Sequence, residues 1–195
     1  EQLPKFLIAR VKKHLAKLEE KTDKEFGNSN NPLLVSVRSG AASSMPGMMD
    51  TILNLGLNDE VVKGLAEAVG SERFAYDSYR RLIRMFGEVV YKIDGREFEQ
   101  ILVQKKQEQG VKKDIELDVE GLRQVIANYK ELIRVKTGNC FPQDPVDQLI
   151  TAVEAVFGSW NNKRAIAYRE SQGLDHNLGT AVNIQAMVFG NLGPQ

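Results

Sequence analysis

Cysteine is almost absent: Cys140 stands alone among 195 residues, so no internal disulfide can form and a reducing compartment is the natural setting. An excess of either charge is missing too. Lys and Arg number 26 and so do Asp and Glu, which leaves no electrostatic footprint for a nucleic acid or a membrane surface. So even a balance favours solubility poorly and suits a piece that sits against other protein. No apolar run approaches the roughly 20 residues that a membrane-crossing helix needs. The amino end, EQLPKFLIARVKKHLAKLEEK, mixes charges of both signs and lacks the apolar centre of a signal peptide. Histidine is scarce: His14 and His176 lie far apart with no second ligand at metal spacing, which excludes a His/Cys metal site and marks both as surface residues. Cys140, beside Phe141 and Pro142, reads as a small buried hydrophobe, and no Ser-His-Asp or Cys-His arrangement is supported. Neither a P-loop nor a dinucleotide fingerprint occurs, because Gly40 and Gly47 frame GAASSMPG without the Lys-Ser/Thr ending.

What is present is ordinary globular text, 42% hydrophobic and 27% charged, long enough for one core or a core with a subdomain. Leu3, Leu7, Val11, Leu15 and Leu18 share one face of a first helix. FGNSNNP is a dense turn signal, and LLVSV (Leu33–Val37) reads as a short buried strand with Arg38 at its exit. Helices follow in series. One is capped by Asp59 and closed by Gly70; another carries Phe74, Tyr79, Leu82, Met85 and Phe86 on one side, and a third ends at Gly110. The next is bracketed by Asp118 and Gly138, and Asp144 with Pro145 opens a further one whose buried side runs to Trp160. NNKRAIAYRE adds a short helix, and β-branched alternation over Ala181–Phe189 reads as a closing strand. The two strands must pair with each other or with segments outside the chain. The expectation is a helix-rich α+β fold with a helical subdomain inserted into a sheet-bearing one.

The chemistry concentrates in VRSGAASSMPGMMDT. Arg38 after a rigid strand presents a fixed guanidinium fork suited to phosphate or carboxylate. Ser39, Gly40 and Ala41 allow close backbone approach, and successive N–H groups in such a turn can face an anion. Met45, Met48 and Met49 are soft fillers that suit a flat ring or, equally, a core. Arg80, Arg81 and Arg84 form a second cluster, readable as a solvated helix face paired to Asp77 and Glu88 or as a dock for a phosphorylated partner.

LLVSVRSGAASSMPGMMDTILNLGLND, RFAYDSYRRLIRMFG, AVFGSWNNKRAIAYR and GTAVNIQAMVFGN, in that order, resemble the corresponding blocks of the pyruvate, phosphate dikinase family. Pyruvate, water dikinases share the strand exit but lack SMPGMMDT and are the alternative. The resemblance implies part of an N-terminal ATP-grasp nucleotide-binding domain: residues 1–58 a partial subdomain with the phosphate-side loop, 59–178 a helical insert, 179–195 the start of a second sheet portion. It implies an enzyme that uses ATP, phosphate and pyruvate with Mg2+, and passes a phosphoryl group through a histidine on a separate swivelling domain. Arg38 matches its catalytic, phosphate-contacting arginine, while Met49, Gln185, Met187 and Val188 match the nucleotide pocket. Arg81 matches an arginine facing the phosphohistidine domain, which leaves the helical part readable as an interaction module for that domain or a regulator. The resemblance implies a homodimeric, cytoplasmic parent, an organelle being open, with no nucleic-acid or membrane partner. The glycine-rich lysine segment and the acidic metal ligands of the family are absent. The chain, without an initial methionine, is therefore read as an inactive piece of that enzyme.

Overall fold

The computed structural model describes residues 3–189. Seven α-helices and five short strands are present among them: α1 (Lys5–Thr22), β1 (Glu25–Phe26), β2 (Pro32–Leu33), β3 (Val35–Ser39), β4 (Thr51–Leu55), α2 (Val61–Val69), α3 (Glu72–Val89), α4 (Gly95–Gln109), α5 (Val119–Thr137), α6 (Pro145–Gly158), α7 (Lys163–Gln172) and β5 (Val182–Ala186). The fold is helix-rich α+β, as expected.

Local chemistry sets most helix starts. The Ser71, Asp94, Asp118 and Asp144 side chains accept from the first free amides of α3, α4, α5 and α6, each contributing about 1 kcal/mol. The expected cap Asp59 is displaced by its neighbour. Asn58 Oδ1 accepts from the N–H groups of Glu60 and Val61, at 3.0 and 2.8 Å. Asp59 instead accepts from the Tyr79 hydroxyl (3.1 Å) and pairs with Lys130.

The strand expected at Leu33–Val37 divides. Pro32–Leu33 pairs in parallel with β1, while β3 runs on to Ser39 as the centre of an antiparallel sheet ordered β4-β3-β5. The two strands recognisable in the sequence do pair with each other, Val35 opposite Ala186 and Arg38 opposite Asn183. The closing strand, expected over Ala181–Phe189, is shorter, Val182–Ala186. The third strand, β4, is not among the sequence expectations, and Asn54 and Gly56 give TILNL the look of a turn. Asn54 is indeed left-handed (φ 63°), and the β3–β4 register shifts between Val35 and Val37, so it sits at a β-bulge. Its side-chain amide donates to Ser78 O (3.2 Å), tying the bulge to α3.

One core joins sheet and helices. Val35, Val37 and Ile52 are buried with Leu82, Ile83 and Phe86 of α3, Val125 and Tyr129 of α5, and Leu149 and Val156 of α6. Each large apolar side chain there contributes roughly 1.5–3 kcal/mol. This cluster draws residues from both sides of the boundary expected at residue 58. Gln148 lies fully buried in it and is satisfied: its amide donates to Leu57 O and Pro142 O and accepts from Gly56 N–H. Cys140 is exposed, contrary to expectation, because the turn after α5 carries it outward while Phe141 enters the core against Tyr79 and Phe86.

Candidate functional site

Side chains alternate across a strand, so β3 sends Val35 and Val37 to the core and Ser36 and Arg38 to the other face. Register adds Thr51 beside Arg38 from β4, and Asn183 and Gln185 from β5. Leu53 follows Thr51 by two residues on the same side. This face carries Arg38 in the open. Arg80, Arg81, Arg84 and Arg164 are each matched to a carboxylate. The exposed Arg38 guanidinium, by contrast, has no ion pair or hydrogen bond with any described residue.

At the same end of the sheet, Gly40 N–H donates to Ala181 O (2.7 Å), and Gly40 is pressed so close to Asn183 that a Cβ would come within 2.7 Å of its side-chain nitrogen. The backbone N–H groups of Ala41, Ala42, Ser43 and Ser44 then donate to no described residue, nor do the hydroxyls of Ser39, Ser43 and Ser44. A guanidinium followed in the chain by a run of amides without described acceptors supplies the donor chemistry that anions bind.

Of the two uses left open for the methionines, the described structure shows the core one. Met45 and Met49 are buried in a satellite core with Trp160 and Ala165, and Met48 packs against it half-buried. Met49 thus backs the loop from within. Asp50, also buried, closes the loop onto the start of α7 through Arg164 and Asn162. Deeper in this unit Arg169 is 1% exposed without a carboxylate partner among the described residues. Its guanidinium stacks on Trp160 (4.0 Å to the ring centroid) and donates to Trp160 O (2.6 Å) and His176 Nδ1 (3.0 Å). His14 and His176 are both exposed, as read from the sequence.

Among the described residues β5 is an edge strand, and Met187 and Val188 continue the chain just past its end at Ala186. Gly40 donates to Ala181 O and Met187 donates to Leu34 O (2.8 Å), so the alternation of an antiparallel ladder turns the backbones of Ala181, Asn183, Gln185 and Met187 toward β3. The backbones of Ala186 and Val188 face outward, and Val188 is 90% exposed. Sequence matching could not separate these two sets; only the register does.

Beyond Leu53 and Met187 the open face runs into a cleft of about 650 Å³ lined by α3, Asp114, Ile115 and Phe189, the last meeting Phe74 edge to face at 5.1 Å. The arginine cluster lines it, but not as a uniformly solvated helix face. Arg80 is 3% exposed and bonded to Asp77 at 2.7 Å, with Asp114 at 3.8 Å. Burial works against the Arg80 charge, but the Asp77 carboxylate together with Tyr129 more than offsets it, so the guanidinium is held above its ordinary pKa. The other Asp77 oxygen takes Arg81 Nε at 2.9 Å, leaving most of the Arg81 side chain, 62%, in solvent. Arg84 spans Glu88 and Glu99. Among the described residues no group of three His, Cys, Asp or Glu side chains is placed to hold a metal ion, and no helix is long and apolar enough to cross a membrane.

Arg38, Gln185 and Met187 therefore share one face that leads to Arg81, whereas Met49 is buried in the satellite core behind the loop. Such a wall, with cationic and N–H donors at one end and an outward strand edge at the other, sits in an α+β domain and suits a ligand of nucleotide type. Comparison with known proteins agrees. The chain matches the family described as "Pyruvate phosphate dikinase, AMP/ATP-binding domain" over residues 1–193. It is 58% identical over 190 residues to the pyruvate, phosphate dikinase of Giardia intestinalis, covering 97% of this chain and 22% of that protein. Identity is 52% over 177 residues with the Clostridium symbiosum enzyme (90% of this chain, 20% of the relative). It is again 52% over 192 residues with the chloroplastic one of Mesembryanthemum crystallinum (98% and 20%). The chain belongs to the AMP/ATP-binding domain family of pyruvate, phosphate dikinase, and it spans about a fifth of the length of these relatives.

Proposed function

We propose that the chain is one wall of the ATP site of a pyruvate, phosphate dikinase. The intact enzyme converts ATP, phosphate and pyruvate to AMP, pyrophosphate and phosphoenolpyruvate through a phosphohistidine on another domain. Arg38 and the amides of residues 41–44, all without partners among the described residues, carry this reading. Arg38 holds a phosphate of ATP and stabilises charge as it is transferred. The outward edge at Ala186 and Val188, with Gln185 and Met187 flanking it, meets the adenine, and Met49 sets the depth of the loop. Residues 1–58 and 179–195 supply the sheet side of the site and 59–178 the helical insert.

Magnesium neutralises polyphosphate charge when bound. Among the described residues no three His, Cys, Asp or Glu side chains are grouped to ligate it. The chain by itself is inactive: incubation with ATP, phosphate and Mg2+ releases no AMP or pyrophosphate, and turnover by the purified chain would refute this.

A second role rests on a separate observation, the solvent-facing Arg81 whose head group is fixed by Asp77. It docks the phosphohistidine domain, within a homodimeric parent. Arg81→Glu in the intact enzyme should cut phosphotransfer to the histidine at least tenfold while ATP affinity stays within about twofold, since an exposed rim charge acts on docking. Equal loss of both, by rapid-quench phosphotransfer and nucleotide titration, would return Arg81 to the pocket.

A further inference from the structure

The connection from β3 to β4, residues 40–50, is long for two neighbouring antiparallel strands, where two to five residues are usual. It lies outside the main core, and its run from Ala41 to Ser44 makes no backbone hydrogen bond of its own as donor. Such a segment holds a shape only if its ends are held. One end is Gly40, tied to Ala181 O. The other is Asp50.

Asp50 gathers partners from separate parts of the chain. Its N–H donates to Ser159 Oγ (3.1 Å) in the turn after α6, and its carboxylate accepts from Asn162 Nδ2 (2.9 Å) and from Arg164 at the start of α7. Lys92 Nζ, from the link between α3 and α4, stands 3.7 Å away. Lys92 has a left-handed backbone (φ 55°), a conformation that costs a non-glycine residue about 1–2 kcal/mol and persists where surroundings enforce it. Arg164 also donates through Nε to Met48 O (2.9 Å), so one guanidinium grips the loop by side chain and backbone. The residue after Asp50 is Thr51, the cross-strand neighbour of Arg38. Whatever fixes Asp50 fixes the loop exit beside the phosphate-side arginine.

We propose that Asp50, clamped by Arg164, is the positioning residue that preorganises the amide cradle of residues 41–44 for the polyphosphate of ATP. The inference rests on the reading of Arg38 and this loop as the anion end of the nucleotide site. The clamp touches no ligand; it removes the ordering that free loop amides would otherwise undergo on binding.

The test uses the intact enzyme, with ATP and adenosine as probes. Arg164→Ala and Asp50→Asn should each weaken ATP binding about tenfold, while adenosine affinity changes less than twofold, because only the anionic end depends on the cradle. Combining both should cost little more than Asp50→Asn alone, as expected for residues of one unit. Amides of residues 40–49 should exchange hydrogen faster in Arg164→Ala, with β3 and β4 unchanged, and Arg164→Lys should recover part of the ATP affinity. If Asp50→Asn fails to fold, the half-exposed Arg164 reports on the same contact. ATP and adenosine affinities that fall together, or ATP affinity that stays put, overturn the proposal. Arg38→Ala in the same assay separates the two levels. If it too spares ATP, the nucleotide reading fails; if it loses ATP while Arg164→Ala does not, only the clamp fails.

Discussion

Replacing Arg38 by alanine in the intact enzyme should lower kcat/KM for ATP by about a hundredfold or more and leave the melting temperature within roughly 1 °C. The two halves of that expectation come from one observation. Because Arg38 has no partner among the described residues, its removal strands no buried charge and empties no core volume, and exposed positions of that kind change stability little. If Arg38 holds a phosphate of ATP as proposed, the same change also removes an oriented donor pair from the transferring phosphoryl group. Loss of one such preorganised donor costs about 10²–10³ in rate. Arg38→Lys restores the charge without the fork and should recover only part of the loss. Steady-state kinetics alongside a thermal melt decide the matter. A normal kcat/KM in Arg38→Ala would remove the phosphate role, and a large fall in melting temperature would show that Arg38 has structural duties instead.

The position of Arg38 was legible because a short apolar run ending in a charge is a local signal, and local signals survive in a one-dimensional text. The same holds for α5, whose apolar stripe and bracketing Asp118 and Gly138 describe the observed helix, and for Asp144 with Pro145 at the start of α6. Strand β4 was hidden by its own irregularity. Asn54 and Gly56, which belong to a bulge and a strand end, look like a turn when the partner strand is unseen. The arginine cluster was half legible. Spacing within α3 gives the Asp77 and Glu88 pairings, but the burial of Arg80 depends on Asp114 and α5 closing over it.

Resemblance to a family carried Arg38, Gln185, Met187 and Val188 to one site, yet could not say which strand backbones are free. That follows from ladder parity, a property of pairing between segments far apart in the chain. The clamp on Asp50 was invisible for the same reason. Arg164 and Asn162 meet it only because α6 and α7 fold back over the sheet end. For Met49 the sequence leaves a ring and a core equally open, and only the fold shows that its side chain fills a core.

Gly64→Ala is expected to be among the most damaging single-methyl changes in the chain, destabilising it by about 3 kcal/mol or more. In an exposed helix the same substitution normally stabilises by about 0.5–1 kcal/mol. The sign reverses because α2 rests on the turn between β1 and β2: a Cβ at Gly64 would lie 1.5 Å from Ser29 O and 2.4 Å from its carbonyl carbon. Backbone rather than a flexible side chain occupies the space, and that turn is pinned. Glu25 N–H donates to Asn31 O (3.0 Å), Asn30 N–H to Asn28 Oδ1 (2.7 Å) and Asn31 Nδ2 to Asp23 O (2.5 Å). Relief therefore means lifting α2, which would open the contacts of Val61, Val62 and Leu65 with the main core. For a chain of this length such a loss lowers the melting temperature by about 6–12 °C. Gly158→Ala supplies the control: nothing lies within 4 Å of a Cβ at that helical position, so it should melt at or slightly above the parent. If Gly64→Ala melts with the control, α2 is not seated on the Ser29 turn, and the packing of the helical region against the strands would have to be redrawn.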